Sequence, residues 1–299
     1  ALAGLPEIVA ARAEVQAREL EAGGRPSGDL CSVPLVSEIL LPDGGAPERA
    51  RAGRAGRAPG GAFDGAASID VGALTALVAA AERPVALTGA GLSRASGLRT
   101  RKELWETFDR DAAVSVWRFR EEPRALWSVI RDFLGDGAHG PNAAHVALAR
   151  LPLAGVVTQN VDGLHQAAGT RAPIVELHGS LRATRCDACG ARGPSCEALL
   201  DGPLPPPCVC GDALRPDVVL FGEWVAPDRL AQARALVDGC DLLLVVGTAA
   251  DVSPAADLVR LAATRGATVV EVKRQSSRLH RALGTLHLPG AAEDVLPAV

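Results

Sequence analysis

Five groups of residues in this chain have types and spacing that could do chemistry. Asn160, Asp162 and His165 stand in T-Q-N-V-D-G-L-H (Thr158–His165), so amide, carboxylate and imidazole groups cluster directly after an apolar run. His178 ends another apolar run in Leu177-His178-Gly179. Imidazole titrates near neutrality, which suits a general base. Gly89-Ala90-Gly91, followed by Ser93, Ser96 and Gly97, closes a third run. A strand leading into Gly-x-Gly lets backbone approach a pyrophosphate and offers amide N–H donors. Arg94 stands where a third glycine would be expected. Gly247-Thr248-Ala249-Ala250 again follows an apolar run and offers N–H and hydroxyl donors for phosphate or ribose. The fifth group is Cys186-x-x-Cys189 and, after residues 190–207, Cys208-Val-Cys210. That spacing predicts a tetrathiolate zinc ribbon whose second pair is one residue short of C-x-x-C, with Cys196 as a substitute ligand. Four protein ligands would make the metal structural rather than catalytic.

Positioning these groups requires a scaffold. Pro84–Thr88, Ala154–Thr158, Ile174–Leu177, Val218–Phe221, Leu242–Val246 and Thr268–Val272 are short, β-branched or Leu-rich, and lack strict alternation. Such runs predict strands buried on both faces of a parallel sheet. Helical stretches are expected at Val71–Glu82, Pro123–Leu134, Asn142–Leu151, Ala226–Leu236 and Pro254–Thr264. Strand alternating with helix predicts an α/β fold with a doubly wound, parallel, Rossmann-like sheet. The cysteine segment, about 180–216, interrupts the rhythm and is expected to form a small zinc-ribbon lobe inserted in a domain spanning 69–299. Residues 1–68 read as an N-terminal extension. It comprises a helix at Pro6–Glu21, carrying Leu5, Ile8, Val9 and Val15 at helical spacing, and a basic, low-complexity flexible linker at Pro47–Gly61.

Composition excludes some classes. At 299 residues and 48% hydrophobic, the chain can bury a sizeable core. A net charge of −4 argues against a general nucleic-acid binder. No apolar run approaches the ~18 residues a membrane span needs, and no basic segment followed by an apolar one opens the chain as a secretory signal would. Five of the seven cysteines fall between Cys186 and Cys210, which in a chain without a signal suggests metal binding and a cytoplasmic location.

In order along the chain, G-A-G-L-S-x-x-S-G, T-Q-N-V-D-G-L-H, L-H-G, the cysteine pairs, R-P-D-V-V-L-F-G-E (Arg215–Glu223), G-T-A and V-V-E-V resemble the signatures of the sirtuins, the NAD-dependent protein deacylases. The resemblance covers Pro84 to Val299. It implies that NAD, consumed as co-substrate, meets an acylated lysine of a protein or peptide between a Rossmann-like domain and a zinc lobe. It implies a pyrophosphate site at Gly89, Ala90, Gly91 and Ser93, continued by Thr100 and Arg101. It implies a nicotinamide pocket lined by Asn160 and Asp162, catalytic residues together with His178, the base that takes a proton from a ribose hydroxyl, and it counts Gln159 among the cofactor-binding residues. Gly247, Thr248 and Glu271–Lys273 would face adenosine. Val218, Phe221, Gly222, Glu223 and Val225 would form the edge where a substrate peptide adds as a strand. Three features depart from the family pattern. Leu98 is followed by Arg99-Thr100-Arg101-Lys102, which shortens the linker to Leu104-Trp105 and omits an aromatic. G-T-S has become G-T-A, and the usual Asn is Lys273. A shortened loop leaves ADP-ribosyl transfer, NAD hydrolysis and small-molecule tailoring open as alternatives, with a non-catalytic NAD-binding module as the least favoured. Arg118 and Arg120 leave acidic acyl groups open.

Overall fold

The computed structural model describes residues 67–99, 114–134, 140–195, 202–250 and 252–299. The expected helix Pro6–Glu21, the linker Pro47–Gly61, Thr100, Arg101 and Cys196 lie outside the described residues.

Six parallel strands form the main sheet in the order β3-β2-β1-β7-β8-β9: β1 (Pro84–Thr88), β2 (Gly155–Thr158), β3 (Ile174–Glu176), β7 (Leu242–Val246), β8 (Thr268–Lys273) and β9 (Leu286–Pro289). Every residue of β1, β2 and β7 is buried. Both faces are covered, which is why these runs do not alternate. On one face Val85, Leu87, Val157, Leu243 and Val245 pack with Ala233, Val237, Leu258, Val259 and Ala262 of the helices Pro227–Asp238 and Ala255–Arg265. On the other, Ala86, Val156, Leu242, Leu244 and Val246 pack with Leu74, Val78, Ala144, Ala147 and Leu148 of the helices Val71–Ala80 and Ala143–Arg150. Burying each Val or Leu contributes about 1.5–3 kcal/mol. Helix starts follow local chemistry: Asp70 and Asn142 cap through side-chain oxygens. The strand order reverses between β1 and β7, so a crevice opens beyond their C-terminal ends.

The small lobe holds a three-stranded antiparallel sheet, β5-β4-β6: β4 (Gly179–Cys186), β5 (Arg192–Pro194) and β6 (Leu214–Val218). The expected strand Val218–Phe221 is thereby corrected. The strand is Leu214–Val218, it belongs to the small sheet, and the chain beyond it turns back through Gly222. The sequence expectation missed the shift because Arg215 and Asp217 look too polar for a strand interior, yet both are buried and paired. β9 and the helix Val116–Glu121 were also unforeseen. The chain segment just before the helix Val71–Ala80 joins the sheet edge, with Ser68 bridged to His287.

Candidate active site

The two glycine loops meet at the reversal point. Gly89 donates its N–H to the Val246 carbonyl at 3.1 Å, and Gly91 to the Gly247 carbonyl at 2.8 Å. A Cβ on Gly91 would stand 2.6 Å from the Gly247 oxygen, and one on Gly247, whose φ is +65°, would stand 2.2 Å from the Leu92 nitrogen. Glycine is therefore required here for loop-on-loop contact. The Gly89 and Gly91 N–H groups are thus engaged by the end of β7 and its loop. Ala90 opens the 3₁₀ turn Ala90–Ser96 that follows.

Ser93 on that turn joins a buried polar network. Its hydroxyl donates to Asp162 Oδ2 at 2.7 Å and accepts from Asn160 Nδ2 at 3.0 Å. Asn160 Nδ2 also reaches the Gly89 carbonyl at 3.2 Å. Asp162 Oδ1 takes the Leu164 N–H at 3.0 Å. Burial pushes the Asp162 carboxyl above its usual range, opposed by the Leu164 and Ser93 donors. His145 lies 3.5 Å from Ser93 Oγ and packs edge-on to His165, which lies 2.8 Å from Thr88 Oγ1. Burial holds His145 neutral, its pKa lowered to about 4, and lowers His165 to about 3. Sequence reading missed His145 and Asn142. Asn142 Nδ2 clamps the turn by donating to the Leu92 carbonyl and Ser96 Oγ while its oxygen caps a helix. Only the capping role has a sequence signal, an Asn ahead of a helical run.

His178, in the turn between β3 and β4, donates Nδ1–H to the Gln159 carbonyl at 2.9 Å. A carbonyl can only accept, so the neutral ring carries its lone pair on Nε2. Gln159 Nε2 in turn donates to Thr248 Oγ1 at 2.9 Å, tying the His178 support to the β7 loop.

Two concavities flank this centre. A cleft of about 580 Å³ is lined by Gly91, Arg94, Gly247, Val272, Lys273 and Arg274, among others. Lys273 is among these lining residues, whereas Glu271 is fully buried and accepts from the Ser277 N–H at 2.9 Å. The second concavity, about 730 Å³, has His178 in its lining beside Leu126, Ile130, Phe133, Val161 and Leu181. Val218, Phe221, Gly222, Glu223 and Val225 border it together with the exposed Trp224. Glu223 is held by the buried Arg215 in a two-pronged pair at 2.7 and 2.8 Å, and also accepts from the Leu220 N–H. Its carboxylate shapes the edge. Arg118 pairs with Glu122, and neither it nor Arg120 borders the cavity.

Cys186, Cys189, Cys208 and Cys210 present sulfurs within 4.8 Å of one another, and the Cys186–Cys210 and Cys189–Cys208 pairs are each 3.6 Å apart. A tetrahedron with Zn–S bonds of about 2.3 Å has edges of about 3.8 Å, so four thiolates fit one zinc ion.

Residues 89–254 match the model of the Sir2 family. The chain is 40% identical over 220 residues to the NAD-dependent protein deacylase 1 of Caldanaerobacter subterraneus subsp. tengcongensis, covering 70% of this chain and 89% of that protein. It is 41% identical over 235 residues to the NAD-dependent protein deacetylase of Haloarcula marismortui, covering 71% and 90%. Among solved structures, a Sir2 homolog–NAD complex superposes with a TM-score of 0.69 at 33% identity, covering 78% of this chain and 93% of that one. A Sir2 structure bound to a myristoylated histone peptide superposes at 0.65 and 30% identity, covering 76% and 93%. On this match of sequence and fold, the chain belongs to the Sir2 family, the sirtuins.

Proposed function

We propose that this chain is an NAD-dependent protein lysine deacylase, releasing nicotinamide and an O-acyl-ADP-ribose. The observation that carries the reading is the position of His178. Its Nδ1–H is fixed on Gln159, and the ring borders an apolar cavity large enough for an acylated lysine.

The residues present fit a dinucleotide. The cleft along Gly91, Gly247 and Lys273 opens where the strand order reverses, which is where open α/β sheets take such ligands. NAD, when bound, supplies a ribose carbon whose bond to nicotinamide can be exchanged for a bond to an acyl oxygen. Asn160 and Asp162, locked by Ser93, shape the pocket for the nicotinamide end. His178 Nε2 accepts a proton from a ribose hydroxyl, and the Gln159 carbonyl stabilises the resulting imidazolium through Nδ1–H. The segment Val218–Val225 offers the edge along which a substrate peptide adds. Zinc held by Cys186, Cys189, Cys208 and Cys210 fixes the small lobe and takes no part in the reaction. Thiolate ligands favour a reducing compartment, and we place the protein in the cytoplasm.

Incubation with NAD, with and without an acyl-lysine peptide, tests the reading by nicotinamide release. Release that requires peptide is expected. Equal release without peptide would overturn it in favour of NAD hydrolysis or transfer to another acceptor.

A further inference from the structure

We propose that Asp187, a spacer residue inside the zinc knuckle Cys186–Cys189, is a positioning residue for the substrate: through Arg185 and Arg215 it holds Glu223, and with it the edge Val218–Val225, in place for the acyl peptide. The inference rests on the peptide-edge reading above and adds to it a residue outside the cavity lining.

Strand register creates the problem that Asp187 solves. Arg185 on β4 and Arg215 on β6 stand directly opposite one another across the antiparallel ladder. Like charges in that relation repel, and Arg215 is fully buried, where an unpaired cation is costly. Two carboxylates answer the two guanidinium groups, and each touches both. Asp187 Oδ1 accepts from Arg185 Nε at 3.1 Å, and its Oδ2 accepts from Arg215 Nη1 at 3.2 Å. Glu223 Oε1 accepts from Arg185 Nη2 at 3.2 Å, alongside the two bonds that Glu223 takes from Arg215. The four side chains close a ring of two cations and two acids. Asp217, also 3.5 Å from Arg185, is shared with Arg192 and Arg229.

The ring reaches the substrate edge through backbone. Arg215 Nη2 donates to the Val218 carbonyl at 2.8 Å, and the next N–H, that of Val219, donates to the His178 carbonyl at 2.8 Å. Glu223 Oε2 accepts from the Leu220 N–H at 2.9 Å. The turn from Val218 to Glu223 is therefore closed on one side by the ring and tied on the other to the residue proposed as the base. Both Asp187 oxygens are committed to guanidinium groups, so its carboxylate fixes where the two forks point, and the flanking Cys186 and Cys189 hold Asp187 itself in the cluster. A planar fork pairs well with a carboxylate in one alignment only, so this orientation carries through to Glu223.

The test is a double-mutant cycle on the full zinc-bound chain. It is read by fluorescence anisotropy of a dye-labelled acetyl-lysine peptide without NAD, so that no turnover occurs. Asp187→Asn should weaken peptide binding roughly three- to tenfold, while ADP-ribose affinity and zinc content stay near parental. The KM for the peptide should rise by a like factor, with kcat changing less. In Glu223→Gln, an isostere that can still accept from the Leu220 N–H, adding Asp187→Asn should change peptide affinity by less than about twofold. Unchanged affinity in Asp187→Asn, or an equal loss in both backgrounds, overturns the inference and leaves the deacylase reading standing. Loss of zinc from Asp187→Asn overturns it too, because the residue would then serve the metal knuckle itself. A parent chain that binds no acyl peptide overturns the inference and the deacylase reading together.

Discussion

The Nδ1 of His178 lies 2.9 Å from the carbonyl oxygen of Gln159, whose own side chain is bound to Thr248. His178, the segment after β2 and the β7 loop thus form one chain of contacts. Replacing His178 removes the proton acceptor proposed above without touching the core. His178→Ala should lower peptide-dependent turnover by about 10²–10⁴-fold. Zinc content and ADP-ribose affinity should stay near parental. Turnover within a few-fold of parent would refute the assigned role.

Ser93 is the hub that keeps Asp162 and Asn160 in place. Ser93→Ala leaves a buried carboxylate without its hydroxyl donor, at a cost of about 1–3 kcal/mol. We expect a lower thermal midpoint together with weaker ADP-ribose binding. Calorimetry alongside a binding titration checks both, and an unchanged midpoint would show that the network is not rigid.

Arg215 is fully buried and grips Glu223, the Val218 carbonyl and Asp187. Arg215→Met leaves Glu223 only Arg185 and the Leu220 N–H as partners and should loosen the edge Val218–Val225, since breaking one half of a buried pair costs about 3–5 kcal/mol. The signature is a raised KM for acyl peptide with ADP-ribose affinity little changed. A KM equal to the parent's would show that the clamp does not order the peptide edge.

The cysteine cluster predicts one bound zinc per chain. Chelation, or Cys186→Ser, should unfold the small lobe and abolish activity, because the cluster ties the end of β4 to Cys208 and Cys210 in the segment ahead of β6. Elemental analysis that finds no zinc in the purified protein would dismiss the metal assignment.

His145 and His165 give the fold a pH dependence. Their folded pKa values fall to about 4 and about 3 from the ordinary 6.5, with burial the main cause. Below pH 6.5 the unfolded chain therefore binds more protons than the folded one, and stability rises with pH across that window. Acidifying from pH 6.5 toward 4 should lower the thermal midpoint by roughly several degrees. His165→Gln should flatten that slope, and an identical slope in the variant would rule out this source.

The sequence by itself determined the sheet and the grouping of chemistry. Val85–Thr88, Val156–Thr158 and Leu242–Val246 are apolar without alternation because helices cover both faces, and that pattern is local enough to read. The Cys186–Cys189 pair, His178 after β3 and the two glycine turns likewise show in spacing alone. The tertiary structure decided what those groups touch. Gly91 faces Gly247, 156 positions along by their numbering (247 − 91), so nothing near either shows that their N–H and carbonyl groups are committed to each other. His145 joined the site through Ser93, and Arg215 and Asp217 became strand residues, because charge partners distant in sequence offset the burial of polar groups. Glu271 is fully buried on the Ser277 N–H while Lys273 lines the cleft, a difference made by a backbone donor six residues on in the fold. Hydrophobic period is written residue by residue, whereas hydrogen-bond satisfaction is a property of the packed whole.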